Sequence, residues 1–542
     1  MRTTLFALLL ATAAAPALAQ SAPEPAFSAD RVRAHVTFLA DDLLEGRNAG
    51  ERGYDIAAKY VATQFDALGL KPGTPDGWYQ VVPFVKTQLK AGAPATITIG
   101  SKRFDNGVDI VMGSSAKYPD QNVTAEVVFV GWGIDSPENG FNDYAGLDVK
   151  GKVVAYLSGT PLGGNSEINA HLASRRGRMA QDHGAIGTIS VMTPAFEKQI
   201  SWDRLRAYGG EAQLRWIDKA GEPHSIAPKL LVGGTLGPVA REALFAGART
   251  PLGRVIQQAE KPGGRPKGFA LPAKVTFERH SVLEKMTSPN VVAILPGSDP
   301  ALAGEYVVLM AHLDHDGFNE KAEGPDKIMN GAMDNAAGTA TMLEVARAFA
   351  ESGTRPKRSI LFAAVTAEED GLLGSEYLAR NPVTAGGKVV GVVNLDMPIL
   401  TYDFTDVIAF GGEHSTLGQT AAAAVARAGV TLSPDPIPEE GLFTRSDHYS
   451  FVTEGVPSIF LATGYAGPGK AANEDFLKNH YHQVSDEVKL PIDWQAGAKF
   501  ARINYLIARE IADAAQAPRW YSNNFFGDTF AKGQPKATKP GK

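Results

Sequence analysis

From about residue 290 onwards, the chain alternates between short apolar runs and amphipathic runs. The apolar runs EYVVLMAH, SILFAAVT, KVVGVVNLDM and PSIFLATG predict strands. Amphipathic helices are predicted between them; in the first, Met342, Val345, Ala346 and Phe349 follow the i, i+3, i+4, i+7 spacing of a helix face. This alternation predicts an α/β fold with a mostly parallel central sheet and helices on both faces.

The earlier part of the chain shows a different sequence pattern. Residues 28–72 are predicted to be helical, and short apolar runs between clusters of Gly, Asn, Asp and Pro predict a β-rich block from about 122 to 270. This block either belongs to the main sheet or forms an inserted domain, and we favour the insertion. The expected segments are an N-terminal part of the main domain (20–117), the insert (118–275), the main domain (276–515) and a disordered C-terminal tail (516–542).

The first 19 residues, MRTTLFALLLATAAAPALA, have the pattern of a cleavable secretory signal. A positive residue precedes an apolar stretch, and the small-residue site ALA follows it. The apolar stretch is short for a membrane anchor, and no later run is long and apolar enough to span a bilayer. We therefore expect a periplasmic or secreted protein without an integral membrane span in the mature chain.

Charge and cysteine content exclude several classes of site. The formal net charge is −6 and no dense Lys/Arg run occurs, so nucleic acid is not expected as a partner. The chain has no cysteine, which excludes disulfides and thiolate metal ligands. A chain of 542 residues can bury a large enough core without disulfides.

Side chains that can bind a metal follow the predicted strands directly. His312, Glu368-Glu369 and Asp396 each come at the end of an apolar strand. In open α/β sheets, ligands bind beyond the carboxyl ends of the strands, so we expect these side chains on one rim. Each residue alone has a structural explanation, but all of those explanations would have to coincide on the same rim.

The remaining candidates complete a donor set of imidazoles and carboxylates. Asp334 precedes a helix, where it is either an N-cap or a carboxylate that bridges two metals. His482 and its neighbour His480 lie in a polar loop, and composition alone does not choose between them. Five ligands with one spare carboxylate suit two zinc ions and a general base.

Two further residues are predicted to support the chemistry. Asp314 follows His312 by two residues and is expected to accept the second N–H of that imidazole, which would fix its tautomer. Tyr481 could donate a hydrogen bond to a developing oxyanion, or it is ordinary loop packing.

The strings AHLD, MDNAAG, EEDGLLGS, NLDM, RSDHYSF and YHQVSD, in that order, resemble the M28 family of zinc peptidases. This family includes bacterial leucyl-type aminopeptidases and glutamate carboxypeptidase II. The resemblance covers about residues 28–515, and the insert resembles a protease-associated (PA) domain.

The resemblance implies two Zn²⁺ per chain and a role for each candidate residue. The implied zinc ligands are His312 and Asp396 for one ion, Glu369 and His482 for the other, and Asp334 as the bridge, with a cis Asp334–Asn335 bond. The other implied roles are Glu368 as general base, Tyr481 as a group that polarises the scissile carbonyl, and Arg445, Ser446 and Asp447 beside the substrate pocket.

These expectations lead to an exported di-zinc aminopeptidase that hydrolyses N-terminal residues of peptides through a metal-bridging water. A carboxypeptidase or dipeptidase of the same family is the first alternative, because Arg445 does not decide which terminal charge is read. A receptor-like member without catalysis, an M20 peptidase and a single-zinc glutaminyl cyclase are weaker alternatives. The interval between Asp396 and His482 is too short for the lid domain of the M20 class. Oligomeric state stays open.

Overall fold

The computed structural model describes residues 24–541, so the predicted signal peptide lies outside the described residues. The N-terminal segment is mainly helical, as predicted. Its elements are α1 (Ala29–Leu39), a 3-10 helix (Asp42–Arg47), α2 (Arg52–Ala67), β1 (Lys71–Pro72) and β2 (Tyr79–Leu89). The stripe Ala57, Val61 and Phe65 of α2 is buried, which explains why this segment is an amphipathic helix.

The next segment forms a second sheet. Its elements are β3 (Ala95–Ile99), β4 (Lys102–Asp105), β5 (Ile110–Val111), β6 (Asp120–Phe129), β7 (Asp135–Ser136), β8 (Phe141–Asn142), β9 (Val153–Leu157), α3 (Ser166–Ser174), α4 (Arg176–Asp182), β10 (Gly187–Val191), α5 (Pro194–Gln199), α6 (Trp202–Tyr208), β11 (Gln213–Trp216), β12 (Val232–Leu236), α7 (Pro238–Phe245), α8 (Leu252–Ala259) and β13 (Phe269–Leu295). The second sheet runs in the order β4-β3-β13-β6-β9-β10-β12-β5.

This segment differs from the β-rich block expected from the sequence. Six helices accompany its strands, and β6, β9, β10 and β12 run parallel. The sheet also takes in β3 and β5, which precede the expected boundary at residue 118, because Ile97 and Ile110 pack into the same core as Phe277 of β13. Strand β13 is 27 residues long, and its second half continues into the main sheet.

The main segment carries the central sheet. Its elements are β14 (Glu305–His312), β15 (Gly317–Phe318), β16 (Ile328–Met329), α9 (Ala337–Glu351), β17 (Ser359–Val365), α10 (Leu373–Arg380), β18 (Lys388–Leu395), β19 (Asp406–Phe410), α11 (Leu417–Arg427), β20 (Thr431–Ser433), α12 (His448–Thr453), β21 (Ser458–Thr463), α13 (Gly469–Asn479), α14 (Trp494–Asp513) and α15 (Phe525–Phe530). The strand order is β11-β2-β13-β17-β14-β18-β21-β19-β20.

The predicted fold class is confirmed. Strands β17, β14, β18 and β21 at the centre of the main sheet are parallel, and antiparallel strands flank them. Val307 and Leu309 of β14 pack into a core with α9 and α14 on one face. Val308 and Met310 pack on the opposite face with Leu378 of α10. Because both faces are covered, these strands are continuous apolar runs.

The C-terminal segment is a correction to the expected disordered tail. Trp520 and Phe526 are both 1% exposed and pack with Phe443 and Phe460 of the main segment. The indole N–H of Trp520 donates to the carbonyl of Gly455 at 2.9 Å. Buried aromatic area outweighs the loose Lys/Pro/Gly composition of the last residues. No helix within residues 24–541 has the length and apolar character needed to cross a bilayer.

Candidate metal centre

The structure brings the five predicted ligands together at the carboxyl ends of the central strands. His312 ends β14, Asp396 follows β18, and Glu369 follows β17. Asp334 lies just before α9, and His482 lies in the loop between α13 and α14. Their donor atoms form overlapping groups in which all atoms lie within 4.8 Å of one another.

The first half of the cluster surrounds His312. Its Nε2 atom lies 3.1 Å from Asp396 Oδ1 and 3.3 Å from Asp334 Oδ1. Its Nδ1 atom lies 3.2 Å from the carbonyl oxygen of Asp314, so Nδ1 carries the proton of a neutral ring. The Nε2 lone pair then faces two carboxylate oxygens in a buried site, an arrangement that a cation bound between them would stabilise.

The second half surrounds His482. Its Nδ1 atom lies 2.7 Å from Asp316 Oδ2, which assigns the proton to Nδ1. Its Nε2 atom is buried without a hydrogen-bond partner within the described residues. Nε2 lies 3.5 Å from Glu369 Oε2 and 3.6 Å from Asp334 Oδ2, too far for hydrogen bonds to either oxygen.

Three of these four separations, 3.3, 3.5 and 3.6 Å, fit zinc ligands, and the fourth, 3.1 Å between His312 Nε2 and Asp396 Oδ1, is slightly shorter. Ligand atoms about 2.0–2.2 Å from a tetrahedral ion lie about 3.3–3.6 Å from one another. Asp334 offers Oδ1 to the group of His312 and Oδ2 to the group of His482, as a carboxylate shared by two ions must. The peptide bond between Asp334 and Asn335 is cis, as the family resemblance implied. The donor chemistry and the orphaned Nε2 atom therefore fit two zinc ions.

Asp334 is fixed from behind by Asp486. Two backbone N–H groups, those of Met333 and Asp334, donate to the Asp486 carboxylate at 2.9 and 3.0 Å. Asp486 is fully buried, and burial raises its pKa to about 7. The loop before α9 is thus tied to the loop that carries His482.

The role predicted for Asp314 needs correction. The backbone carbonyl of Asp314, not its carboxylate, accepts from His312. The carboxylate oxygens accept instead from the backbone N–H groups of Glu368 and Glu369, at 3.2 and 3.3 Å. The side chain of Asp314 turns away from His312 towards the end of β17, so it orients the pair of glutamates.

Glu368 and Glu369 lie side by side in the buried cluster. Burial raises the pKa of both carboxyl groups well above the usual range, and neighbouring carboxylates raise it further. His315 lies 2.7 Å from Glu369 Oε1 through Nδ1. Glu369 is therefore held by one histidine and directed at another.

The residues predicted for the substrate pocket occupy different places. Ser446 is buried and donates from its hydroxyl to Asp396 Oδ2 at 2.5 Å. Asp447 is fully buried, and burial raises its pKa to about 7. Only Arg445 is exposed, where it pairs with Glu440 at 3.3 Å. Ser446 thus lies behind the candidate ligand Asp396, and Asp447 is the buried residue directly before α12.

Tyr481 and His480 lie in the same loop before α14 but make different contacts. The ring of Tyr481 lies 4.0 Å from that of His482, and burial together with the nearby carboxylates of Asp334 and Glu369 raises the pKa of its hydroxyl. His480 instead contacts Ser485 through Nδ1 at 2.8 Å. His482 is the imidazole that faces the cluster.

Asp316 and His315 were missed as site residues. Both lie in the string HLDHDG, which contains two aspartates and two histidines within five positions. Composition shows that this loop can reach the site, but it does not show which side chains turn inwards. Those directions depend on where His482 and Glu369 lie in the fold.

Fold and site together define an α/β protein with a buried donor set of imidazoles and carboxylates that fits zinc. Residues 290–508 match the family model described as "Peptidase family M28". All five candidate ligands lie within these residues. Within these residues, 219 of the 542 in the chain, the protein is similar to peptidase family M28.

Parts of the chain are similar in sequence to curated proteins, and its fold is similar to that of a solved structure. A probable glutamate carboxypeptidase of Arabidopsis thaliana is 26% identical over 365 residues, covering 63% of this chain and 47% of the relative. Leupeptin-inactivating enzyme 1 of Streptomyces exfoliatus is 34% identical over 182 residues, covering 33% and 36%. The chain spans about half the length or less of these relatives. An aminopeptidase from Aneurinibacillus sp. strain AM-1 shares the fold, with a TM-score of 0.52, 22% identity, and coverage of 91% of this chain and 95% of that one.

Proposed function

We propose that this protein is a di-zinc aminopeptidase that removes N-terminal residues from peptides. The observation that supports this function best is the pair of imidazole Nε2 atoms that each face two carboxylate oxygens, with Asp334 common to both. The zinc-peptidase family and the peptidase names of the relatives support the same chemistry.

His312 and Asp396 would hold one zinc, Glu369 and His482 the other, and Asp334 both. Bound zinc ions lower the pKa of water and polarise a carbonyl group. The remaining steps, proton transfer and stabilisation of the oxyanion, are carried out by side chains of the protein.

Glu368 is the carboxylate left over for proton transfer. It lies within the same group as His312 and Glu369, and its backbone is held by Asp314. Its carboxylate takes the proton of the attacking water and passes it to the leaving amine. Burial raises the pKa of the Tyr481 hydroxyl, which keeps it protonated so that it can donate to the developing oxyanion.

The charges around the site favour a substrate with a free amino group. Buried carboxylates such as Asp447 and Asp314 lie beside the ligands, and Glu211 of the second segment is close enough to Asp316 for that carboxylate to raise the pKa of Glu211. A cationic ammonium group is attracted to such a concentration of acidic groups. Arg445, the arginine that could read a substrate carboxylate, is engaged by Glu440. A carboxypeptidase or dipeptidase is the second candidate, which the name of the Arabidopsis relative supports.

The decisive experiment compares peptides that are blocked at one end. We expect cleavage of C-terminally amidated peptides and no cleavage of N-acetylated ones, with activity lost in chelator and restored by zinc. Glu368→Gln should retain two zinc ions and lose at least about 100-fold in kcat, the scale of a general base. Cleavage of N-acetylated peptides alone would establish the carboxypeptidase, and near-normal turnover by Glu368→Gln would remove its assignment.

We also propose that the protein is exported and that its second sheet is a PA-type insert. Residues 1–19 support export through their signal-like pattern. The separate core of the second sheet, with Ile97, Phe129 and Phe277, supports an inserted unit. Cell fractionation with N-terminal sequencing tests export, for which we expect a mature chain that begins at Gln20.

A further inference from the structure

Arg47 belongs to the N-terminal segment, but it contacts the backbone next to the candidate ligands His312 and Asp334. It is 1% exposed, and its guanidinium donates to backbone carbonyls from three separate stretches of chain. Nε donates to Leu313 at 2.9 Å, Nη1 donates to Leu39 and Asn330 at 2.5 Å each, and Nη2 donates to Gly331 at 3.1 Å.

Two of these stretches carry candidate zinc ligands. Leu313 directly follows His312, and Gly331 lies three residues before Asp334. The carbonyl of Arg47 also accepts from the backbone N–H of His315 at 3.2 Å. One arginine therefore connects the loop after β14 to the loop before α9, which are the two loops whose ligands meet at His312 Nε2.

The backbone of the loop before α9 accepts hydrogen bonds from Arg47 on one side and donates them to Asp486 on the other. The Arg47 guanidinium takes the carbonyls of Asn330 and Gly331, while the Asp486 carboxylate takes the N–H groups of Met333 and Asp334. Charged partners make the stronger hydrogen bonds to the backbone. This arrangement fixes the position from which Asp334 extends between the two halves of the cluster.

A tight turn at Gly46 places Arg47 in its buried position. Gly46 has φ +70°, and a Cβ there would come within 2.4 Å of the carbonyl oxygen of Gly317. The side chain of Asn330 adds a second tie, because its amide donates to Ala40 O at 3.1 Å and Asp42 Oδ1 at 2.9 Å. The segment that contains Arg47 thus packs directly on the backbone of the site.

The guanidinium is also a fixed positive charge. No carboxylate of residues 24–541 lies within 4.0 Å of it, yet Asp486, Asp314 and Asp334 are near enough to act on its charge. A buried cation without a carboxylate partner is costly unless its donors are satisfied. Here the carbonyls satisfy the donors and leave the charge to act on the carboxylate cluster.

We propose that Arg47 is a positioning residue of the metal centre: it sets the spacing between the loops of His312 and Asp334, so that zinc affinity depends on the N-terminal segment. The proposal rests on the proposed function, because it takes the cluster to be a zinc site. Lysine at this position keeps the charge but cannot donate in several fixed directions at once, so it isolates the geometric role.

The test measures the zinc dissociation constant of the metal-free full chain by competition with a chromophoric chelator, the Co²⁺ absorption spectrum, and the thermal midpoint without metal. Arg358→Lys is the matched control, because Arg358 is also 1% exposed and donates to backbone carbonyls and to Glu305. We expect Arg47→Lys to weaken zinc binding by about 10-fold or more and to alter the Co²⁺ spectrum. Arg358→Lys should lower the midpoint and leave zinc affinity within about twofold.

Zinc affinity and a Co²⁺ spectrum unchanged in folded Arg47→Lys would overturn the proposal, as would equal losses of affinity in both lysine variants. If Arg47→Lys does not fold, Asn330→Ala decides, since it releases the second tie and leaves Arg47 in place. A loss of several-fold in zinc affinity supports the proposal, and an unchanged affinity overturns it. Failure of the wild-type chain to bind zinc would instead reject the proposed function.

Discussion

Replacing Asp316 with asparagine tests how far the imidazole of His482 depends on the carboxylate behind it. The Asp316 carboxylate accepts the Nδ1–H of His482 at 2.7 Å, which turns Nε2 towards Glu369 and Asp334. Asparagine has nearly the same shape but no charge, and its amide can present N–H groups to the ring. We expect weaker zinc binding in the half of the centre that contains His482.

The magnitude follows from the geometry of this contact. A hydrogen bond with one charged partner contributes about 1.5–3 kcal/mol. The Asp316 side chain is 34% exposed, so solvent screening favours the lower half of that range. A loss of about 1.5–2 kcal/mol corresponds to about 10–30-fold in zinc affinity, within the range typical of carboxylates that orient metal-bound histidines.

The assay is a zinc titration of the metal-free protein by calorimetry, in which wild type should take up two ions. For Asp316→Asn we expect one ion at nearly normal affinity, since the group of His312 and Asp396 is untouched, and one at reduced affinity. Asp135→Asn is the matched control, because Asp135 pairs with His183 at the same 2.7 Å in the second segment. Two ions bound to Asp316→Asn with wild-type affinity would refute the role assigned to Asp316.

Three further outcomes are expected. Trp520→Ala should lower the free energy of unfolding by about 3–5 kcal/mol, measured by denaturant titration, since the indole is 1% exposed; a loss below about 1 kcal/mol would contradict its place in the core. Burial lowers the pKa of His171 to about 4, below its ordinary value of 6.5. The contribution of this neutral, buried histidine to the free energy of unfolding is therefore fully present above pH 6.5, and about 3 kcal/mol of it is lost as the pH drops towards 4. His171→Gln should flatten this part of the stability curve, and an unchanged pH dependence would argue against it. Chelation of metal should lower the thermal midpoint and zinc should restore it, because the carboxylates of the cluster repel one another without cations; a midpoint indifferent to zinc would speak against a metal site.

The parallel centre of the sheet could be predicted because its signal is local. Strand β14 has the predicted bounds, and β17, β18 and β21 differ from theirs by one or two residues. Strands covered on both faces must be apolar throughout, so each one appears as an uninterrupted run. The positions of His312, Glu368-Glu369 and Asp396 could be predicted for the same reason, since a polar residue directly after such a run lies on the sheet rim.

The second sheet and the C-terminal segment were harder to predict. Strand β13 takes part in both sheets, and nothing in its composition marks where one ends and the other begins. The strands β3 and β5 join the second sheet through pairing with distant partners. Likewise, Trp520 is ordered by contacts with residues far earlier in the chain, which periodicity does not reveal.

The sequence by itself determined the fold class and the rim on which His312, Glu368-Glu369 and Asp396 lie, because apolar periodicity and the residue that follows each strand are properties of neighbouring positions. Only the tertiary structure decided which side chains hold those donors. Asp316 rather than Asp314 orients a histidine, and Arg47 reaches Leu313 across 266 positions of sequence. Hydrogen bonds of this kind depend on distances and directions between segments that meet only after folding, so no local pattern encodes them.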